Sequence, residues 1–401
     1  MMRTAVLLVV FSFASTAFAA ERFEFRDGDR VVWIGSTWIE REQRFGYWET
    51  ELTAANPDKN ITFRNLGWSG DTVWGEARGV FDSPREGYRR LVEHTLAEKP
   101  TVIVVGYGVN ESFAGEKGLP AFKAQYKKLL DDLAPAQARL ILLAPPLVDK
   151  AEWKFGNVDE RNRLLKLYAD VIEAEAKSRN VRFVPDIGYR YGPASPLMEN
   201  GVHMSAWGYR HTAHALMIEL RLPWPGQLPV VLNGLEKSRV TRKYLPGSPF
   251  PPQSGDLSFV PDTALRIRNL KAGKYKLQID GKTVPVNYFE RISKGLPPLE
   301  VFEWKNDANP PNVLGAATGP SQEQVEKLRR TIIEKNELYF HRWRPQNVTY
   351  LFLFRKHEQG NNAVEIPKFD PLIAEKEKEI GKLRKPVEHV YQLLPAADEE
   401  K

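Results

Sequence analysis

Four short polar clusters hold the residues of this chain whose types and spacing fit chemistry. They are Gly35-Ser36-Thr37, Gly67-Trp68-Ser69-Gly70-Asp71-Thr72, Gly106-Tyr107-Gly108-Val109-Asn110-Glu111 and Asn200-Gly201-Val202-His203-Met204-Ser205. A hydroxyl on a tight strand-to-helix turn is exposed at a sheet edge, a neutral imidazole takes its proton, and pre-aimed N–H donors stabilise the oxyanion of a tetrahedral intermediate. Clusters holding Ser or Thr, Gly and Asn, and His have the parts for that chemistry. Each also has a plainer reading. Ser36 and Thr37 suit the N-cap of a helix starting near Ile39, Asn110 suits a strand-end turn, and Gly70 an ordinary turn.

The clusters need a frame that brings them to one place. Short β-rich apolar runs at Val31 to Gly35, Ile61 to Leu66, Thr101 to Gly106, Arg139 to Ala144 and Val181 to Pro185 alternate with helix-like segments beginning near Glu40, Arg85, Leu119, Val158 and Ala206. That alternation predicts a parallel sheet covered by helices on both faces, and the unbroken runs Val102-Ile103-Val104-Val105 and Leu140-Ile141-Leu142-Leu143 suit strands buried on both sides. Functional groups of such a sheet gather at the C-terminal ends of its strands, which is where the first three clusters fall; the fourth enters the last helix.

In this order the four clusters resemble the SGNH (GDSL-type) hydrolase family over about residues 28 to 220. The resemblance implies a three-layer, flavodoxin-like α/β domain and hydrolysis of a carboxylic ester, with an acyl group on a carbohydrate as one substrate. It places the nucleophile on Thr37, oxyanion donors on Gly70 and Asn110, the base on His203 and the acid position on Asn200. Two positions depart from the pattern. The family's Gly-Asp-Ser is Gly35-Ser36-Thr37 here, and its Asp-x-x-His is Asn200-Gly201-Val202-His203. An asparagine holds an imidazole but does not stabilise the imidazolium by charge, and the threonine methyl stiffens χ1 and crowds the attack. Several repairs stay open: Ser36 as nucleophile, a carboxylate from Glu199, Glu111 or Asp71 in place of Asn200, or a water activated by His203. The paired losses equally suit a non-catalytic binding module on the same fold.

Composition bounds the rest. The 401 residues suffice for about two domains, and 42% hydrophobic with 27% charged residues is ordinary for a globular chain. A net charge of +6 with interleaved signs gives no nucleic-acid stripe, and the absence of cysteine excludes disulfides and thiol catalysis. Residues 1 to 20 carry Arg3, an apolar run and Ala17-Phe18-Ala19, a signal-peptide pattern that predicts export to the periplasm or beyond; no second apolar run is long enough to span a membrane. Residues 21–222 read as the α/β domain, 223–256 as a Pro-rich connection, and 257–401 as a β-rich and helical region.

In that last region Asp280-Gly281 signals a hairpin, and Ser321 to about Arg344 and Pro371 to Leu383 read as helices. It resembles segments appended to such domains in exported proteins of planctomycete-type bacteria. The run Tyr339 to Arg344 mixes aromatics with arginine at a helix end, a pattern suited to a domain interface. His211 and His214 are spaced for a metal but lack a third ligand in the sequence, so neither metal nor cofactor is expected. The expected partner is a small-molecule or polysaccharide ester.

Overall fold

Parallel strands buried on both faces must be apolar throughout, and the five runs are such strands. In the computed structural model, β1 (Arg30–Gly35), β2 (Thr62–Asn65), β3 (Val102–Gly106), β4 (Arg139–Leu143) and β5 (Arg182–Val184) form one parallel sheet in the order β2-β1-β3-β4-β5. The structure describes residues 22–150, 153–185, 187, 197–223, 230–233, 239–248, 264–268, 270–288, 299–304, 314–316, 319–345 and 348–396. The expected signal segment lies outside them.

The three layers follow from alternation along each strand. Val31 and Trp33 of β1 face a core shared with helices α1 (Thr37–Glu42), α2 (Tyr47–Ala54) and α6 (Ala206–Glu219). Val32 and Ile34 face the other core, built with α3 (Pro84–Ala97), α4 (Leu119–Leu133) and α5 (Val158–Arg179). The strand order reverses between β1 and β3, and their register sets Gly35 beside Gly106. The first and third polar clusters therefore leave the sheet side by side, at the switch point where open α/β sheets bind ligands.

The C-terminal half carries two further sheets. One has β10 (Lys282–Val284), β9 (Gly273–Ile279), β14 (Glu388–Pro395) and β7 (Arg239–Lys243) in that order, with β12 (Phe302–Trp304) also on β9. The other has β11 (Val286–Tyr288), β13 (Leu314–Ala316), β8 (Ala264–Arg268) and β6 (Val230–Asn233). Asp280 and Gly281 turn β9 into β10 at φ of +51° and +79°, the left-handed pair a two-residue hairpin requires. The segment expected as an irregular connection thus supplies two strands, β6 and β7. The predicted long helices are α7 (Pro320–Trp343) and α8 (Phe369–Leu383), packed through Leu328, Ile332 and Ile380. No helix among the described residues is long and apolar enough to cross a membrane.

Helix α7 is anchored to the α/β domain by buried charge. Lys335 Nζ donates to Glu49 Oε1 and Oε2 at 2.8 and 2.9 Å and to the Phe63 carbonyl at 3.1 Å, and Asn336 Nδ2 donates to Glu49 at 3.2 Å. Glu42 lies in the same pocket of charge, accepting the Trp48 N–H at 2.8 Å. Burial, with the Glu49 charge beside it, pushes the Glu42 carboxyl up to about 8. Folded protein then holds a proton that the unfolded chain releases near its ordinary value, so stability falls as pH rises from about 4.5 to about 8, by an order of a few kcal/mol. Urea midpoints are expected to drop across that window in the native chain and to drop less in Glu42→Gln, whose Oε1 still accepts the Trp48 N–H. Equal pH slopes would count against this assignment.

Candidate active site

Thr37 is the first residue of α1 and partly exposed at the end of β1, whereas Ser36 is the buried N-cap, its carbonyl accepting the N–H groups of Ile39 and Glu40 at 3.0 and 3.1 Å. Of the two hydroxyls, Thr37 Oγ1 faces the neighbouring strand edge. It accepts the Gly70 N–H at 3.0 Å. Gly70 sits at φ +76°, in the left-handed region that favours glycine, and an added Cβ would meet open space. Glycine here serves conformation rather than fit.

The loop that presents Gly70 is fixed from four sides. Trp68 N–H donates to the Gly35 carbonyl at 3.0 Å, Asn65 Nδ2 to the Ile39 carbonyl at 2.7 Å, and Ser69 N–H to Glu40 Oε2. On its far side Asp71, fully buried, accepts from Arg78 Nε at 2.7 Å and from the Tyr107 hydroxyl at 3.0 Å. Gly67 lets this loop touch α1: a Cβ there would lie 2.4 Å from the Glu40 nitrogen. Gly67→Ala is therefore expected to cost about 1–3 kcal/mol through overpacking and to part Gly70 from Thr37. A melting temperature equal to the native one would contradict that.

Asn110, at the end of β3, reaches across and donates through Nδ2 to the Asp71 carbonyl at 2.8 Å; its second N–H has no partner among the described residues. Thr37, Gly70 and Asn110 are thus brought to one edge by a continuous set of hydrogen bonds. Glu111 beside it turns inward, accepting the Val73 and Gly108 N–H groups at 2.8 Å each, and burial pushes its carboxyl up to about 7.

His203 comes from the loop before α6. Two contacts tie this region to α1: Arg41 Nη2 donates to Glu199 Oε2 at 2.9 Å, and the Tyr209 hydroxyl to the Trp38 carbonyl at 2.7 Å. The ring's Nδ1 faces Asn200 Nδ2 at 3.2 Å. Asn200 Oδ1 is occupied by the N–H groups of His203 and Val202, at 2.9 and 3.2 Å. Those two donors fix the amide orientation, because the flipped amide would set N–H against N–H. Asn200 therefore donates to Nδ1, Nδ1 accepts, and the neutral ring carries its proton on Nε2. Burial and the nearby Arg41 and Arg44 guanidiniums hold this histidine below its ordinary range, so it is neutral at pH 7.

None of the three carboxylates considered as replacements for Asn200 is bonded to His203. Glu199 pairs with Arg41, Asp71 with Arg78, and Glu111 with backbone N–H groups. Two residues around the site, Glu40 and Arg78, escaped the sequence reading, whereas Arg344 was read there as part of an interface. Arg344, beyond the end of α7, lies 3.5 Å above the centre of the Trp68 ring and donates to Glu40 Oε2 at 3.2 Å, the carboxylate that also holds the Ser69 N–H. Arg78 lies fully buried on the domain side, 5.5 Å from the Trp68 ring. Glu40, Arg78 and Arg344 pair across gaps that leave no local pattern, although the aromatic and arginine-rich helix end did signal an interface.

Residues 28–211 match the GDSL-like lipase/acylhydrolase family. None of the curated proteins matches the chain. Among solved structures, BT4096, a gut microbial diltiazem-metabolizing enzyme, is similar over 93% of this chain and 99% of its own at 15% identity and a TM-score of 0.66. Axe2, an acetylxylan esterase from Geobacillus stearothermophilus, aligns with 50% of this chain and 97% of its own at 22% identity and a TM-score of 0.40. The first of these likenesses spans both halves of the chain and establishes a shared fold.

Proposed function

We propose that this chain, whose residues 28–211 belong to the GDSL-like lipase/acylhydrolase (SGNH hydrolase) family, is an exported hydrolase that cleaves a carboxylic ester with a base held back by Asn200. One observation carries the reading: the Gly70 N–H aimed at Thr37 Oγ1, which puts a hydroxyl and an oxyanion donor on the same edge. Thr37 Oγ1 attacks the ester carbonyl, the Gly70 N–H and the free Asn110 N–H receive the oxyanion, and His203 Nε2 takes the hydroxyl proton. The proton passes to the departing alcohol, and water then releases the acid from Thr37 by the same steps.

Nε2 is the atom that must accept, and in the resting arrangement it carries the proton. Catalysis then runs through the minority of molecules in which the ring's proton sits on Nδ1 and Asn200 has let go. Turnover is expected to lie about 10⁴-fold below that of an intact triad. Export rests on the pattern of residues 1 to 20, and a carbohydrate acyl group suits that compartment. The contact between Asn200 and His203 also favours a second reading, a binding module on a hydrolase fold.

Hydrolysis of 4-nitrophenyl acetate by the purified protein, beside Thr37→Ala, Ser36→Ala and His203→Ala, separates the two. The expected result is slow turnover lost in Thr37→Ala and His203→Ala and kept in Ser36→Ala. Turnover equal in all four proteins would leave the binding module.

A further inference from the structure

A cavity of about 370 Å³ opens between the α/β domain and the end of α7, with Trp68 in its wall. It is walled by residues from both halves, among them Trp68, Arg78 and His94 from the first and Tyr339, Trp343 and Arg344 from the second. Its volume falls within the range of small-molecule sites, about 300–1,000 Å³.

The wall holds an unusual density of polar atoms without partners. Arg78 Nη1, His94 Nδ1 and Trp343 Nε1 are buried with no hydrogen bond. Arg344 bonds Glu40 through Nη1, while its Nε and Nη2 donate to nothing among the described residues. Buried polar groups are nearly always satisfied, so several around one space mark a place built for an occupant. Most of these atoms are donors, which calls for a ligand rich in acceptors. The three buried atoms have no accessible surface and act through the wall rather than by contact, which leaves Arg344 as the donor that reaches the occupant. The one acid in the wall, Glu98, is already engaged by the Tyr339 hydroxyl at 2.8 Å and by Arg30 and Arg64.

The rest of the lining is apolar and partly strained. Phe352 at the rim is 48% exposed, and nearby Phe81 and Phe354, both exposed, meet edge to face at 5.4 Å. Val80, also in the wall, sits at φ +56° and ψ −97°, a conformation a β-branched residue adopts only when its surroundings impose it. Such strain gathers at ligand sites. Trp343, set edge-on to Trp68 at 5.7 Å, adds a flat aromatic wall.

We propose that this cavity binds an organic anion, a carboxylate carried on a flat apolar body, with the carboxylate on Arg344 and the body against Trp343 and Phe352. The assignment does not depend on Thr37 or His203 being catalytic. The test is titration calorimetry of the purified protein with 2-naphthoate and with its neutral counterpart 2-naphthylmethanol. One naphthoate per chain is expected, bound at least about tenfold more tightly than the alcohol, and Arg344→Gln is expected to remove that preference while leaving the alcohol's affinity nearly unchanged.

Arg44→Gln tests the separate cavity of about 330 Å³ beside α1 and is expected to leave naphthoate binding unchanged. Where Arg344→Gln fails to fold, Phe352→Ala removes part of the apolar wall at the rim, with the affinity for acid and alcohol alike expected to fall about fivefold. Equal binding of acid and alcohol, binding lost in Arg44→Gln, unchanged naphthoate affinity in Arg344→Gln or Phe352→Ala, or no binding at millimolar naphthoate would each overturn the proposal.

Discussion

Asn200→Asp is expected to raise kcat/KM for an activated ester by about 10³-fold or more. Asn200 now donates to His203 Nδ1 and leaves the ring's proton on Nε2. An aspartate in the same place keeps its acceptor role toward the His203 and Val202 N–H groups and turns the contact with Nδ1 into one that accepts. The proton then moves to Nδ1, Nε2 becomes free to take a proton from the Thr37 hydroxyl, and the imidazolium formed in the transition state is paired with a charge. In serine-protease triads this difference is worth about 10⁴ in turnover, or ~5.5 kcal/mol. The threonine methyl leaves part of that gain unrealised. A second signature accompanies the rate. His203 is held low by burial and by Arg41 and Arg44, and an adjacent carboxylate raises it, so the acid limb of the kcat/KM profile moves to higher pH. Unchanged kcat/KM in a folded Asn200→Asp protein would mean that the base is limited elsewhere.

Lys335→Met is expected to lower the unfolding free energy by about 3–5 kcal/mol and to loosen α7 from the α/β domain. Its side chain is only 1% exposed and pairs with a Glu49 side chain exposed by only 5%. Removing the cation leaves Glu49 in a low-dielectric pocket with Glu42 close by, and burial already pushes both carboxyls up. Glu49→Gln in the same chain removes the stranded charge and is expected to restore most of the loss, since it is the unpaired charge that costs, not the missing bond. Because α7 ends at Trp343 and Arg344, loosening it also withdraws Arg344 from Trp68 and Glu40. Urea unfolding of the single and double variants checks both points; a single-variant loss below about 1 kcal/mol would show that the pair is solvated.

Much of the frame was legible because burial on both faces writes itself into composition. Val102 to Val105 and Leu140 to Leu143 admit no polar residue, and each is a central strand. The helix starts at Leu119, Val158 and Ala206 were readable from the alternation of apolar runs with helix-like periodicity. Strand β7, Arg-Val-Thr-Arg-Lys, was not: it is half exposed along its length, so no apolar run marks it, and proline-rich neighbours mask its alternation.

The candidate site divides the same way. Gly70, Asn110 and Thr37 stand at strand ends, where order along the chain fixes position at the edge. The partnership of Glu40 with Arg344 joins residues from opposite halves, and that of Asp71 with Arg78 closes a loop no helix or strand period describes. Asp71 and Glu111 looked available to His203 because sequence proximity to the clusters says nothing of direction. The fold turns one toward a buried arginine and the other toward backbone N–H groups.

The most direct measurement is long-range ¹H–¹⁵N correlation NMR on imidazole-labelled protein, with His203 assigned through His203→Gln. The expected spectrum has the His203 proton on Nε2 in the native chain and on Nδ1 in Asn200→Asp. A native chain with its proton on Nδ1 would contradict the role given to Asn200, and the barrier to turnover would then lie with Thr37.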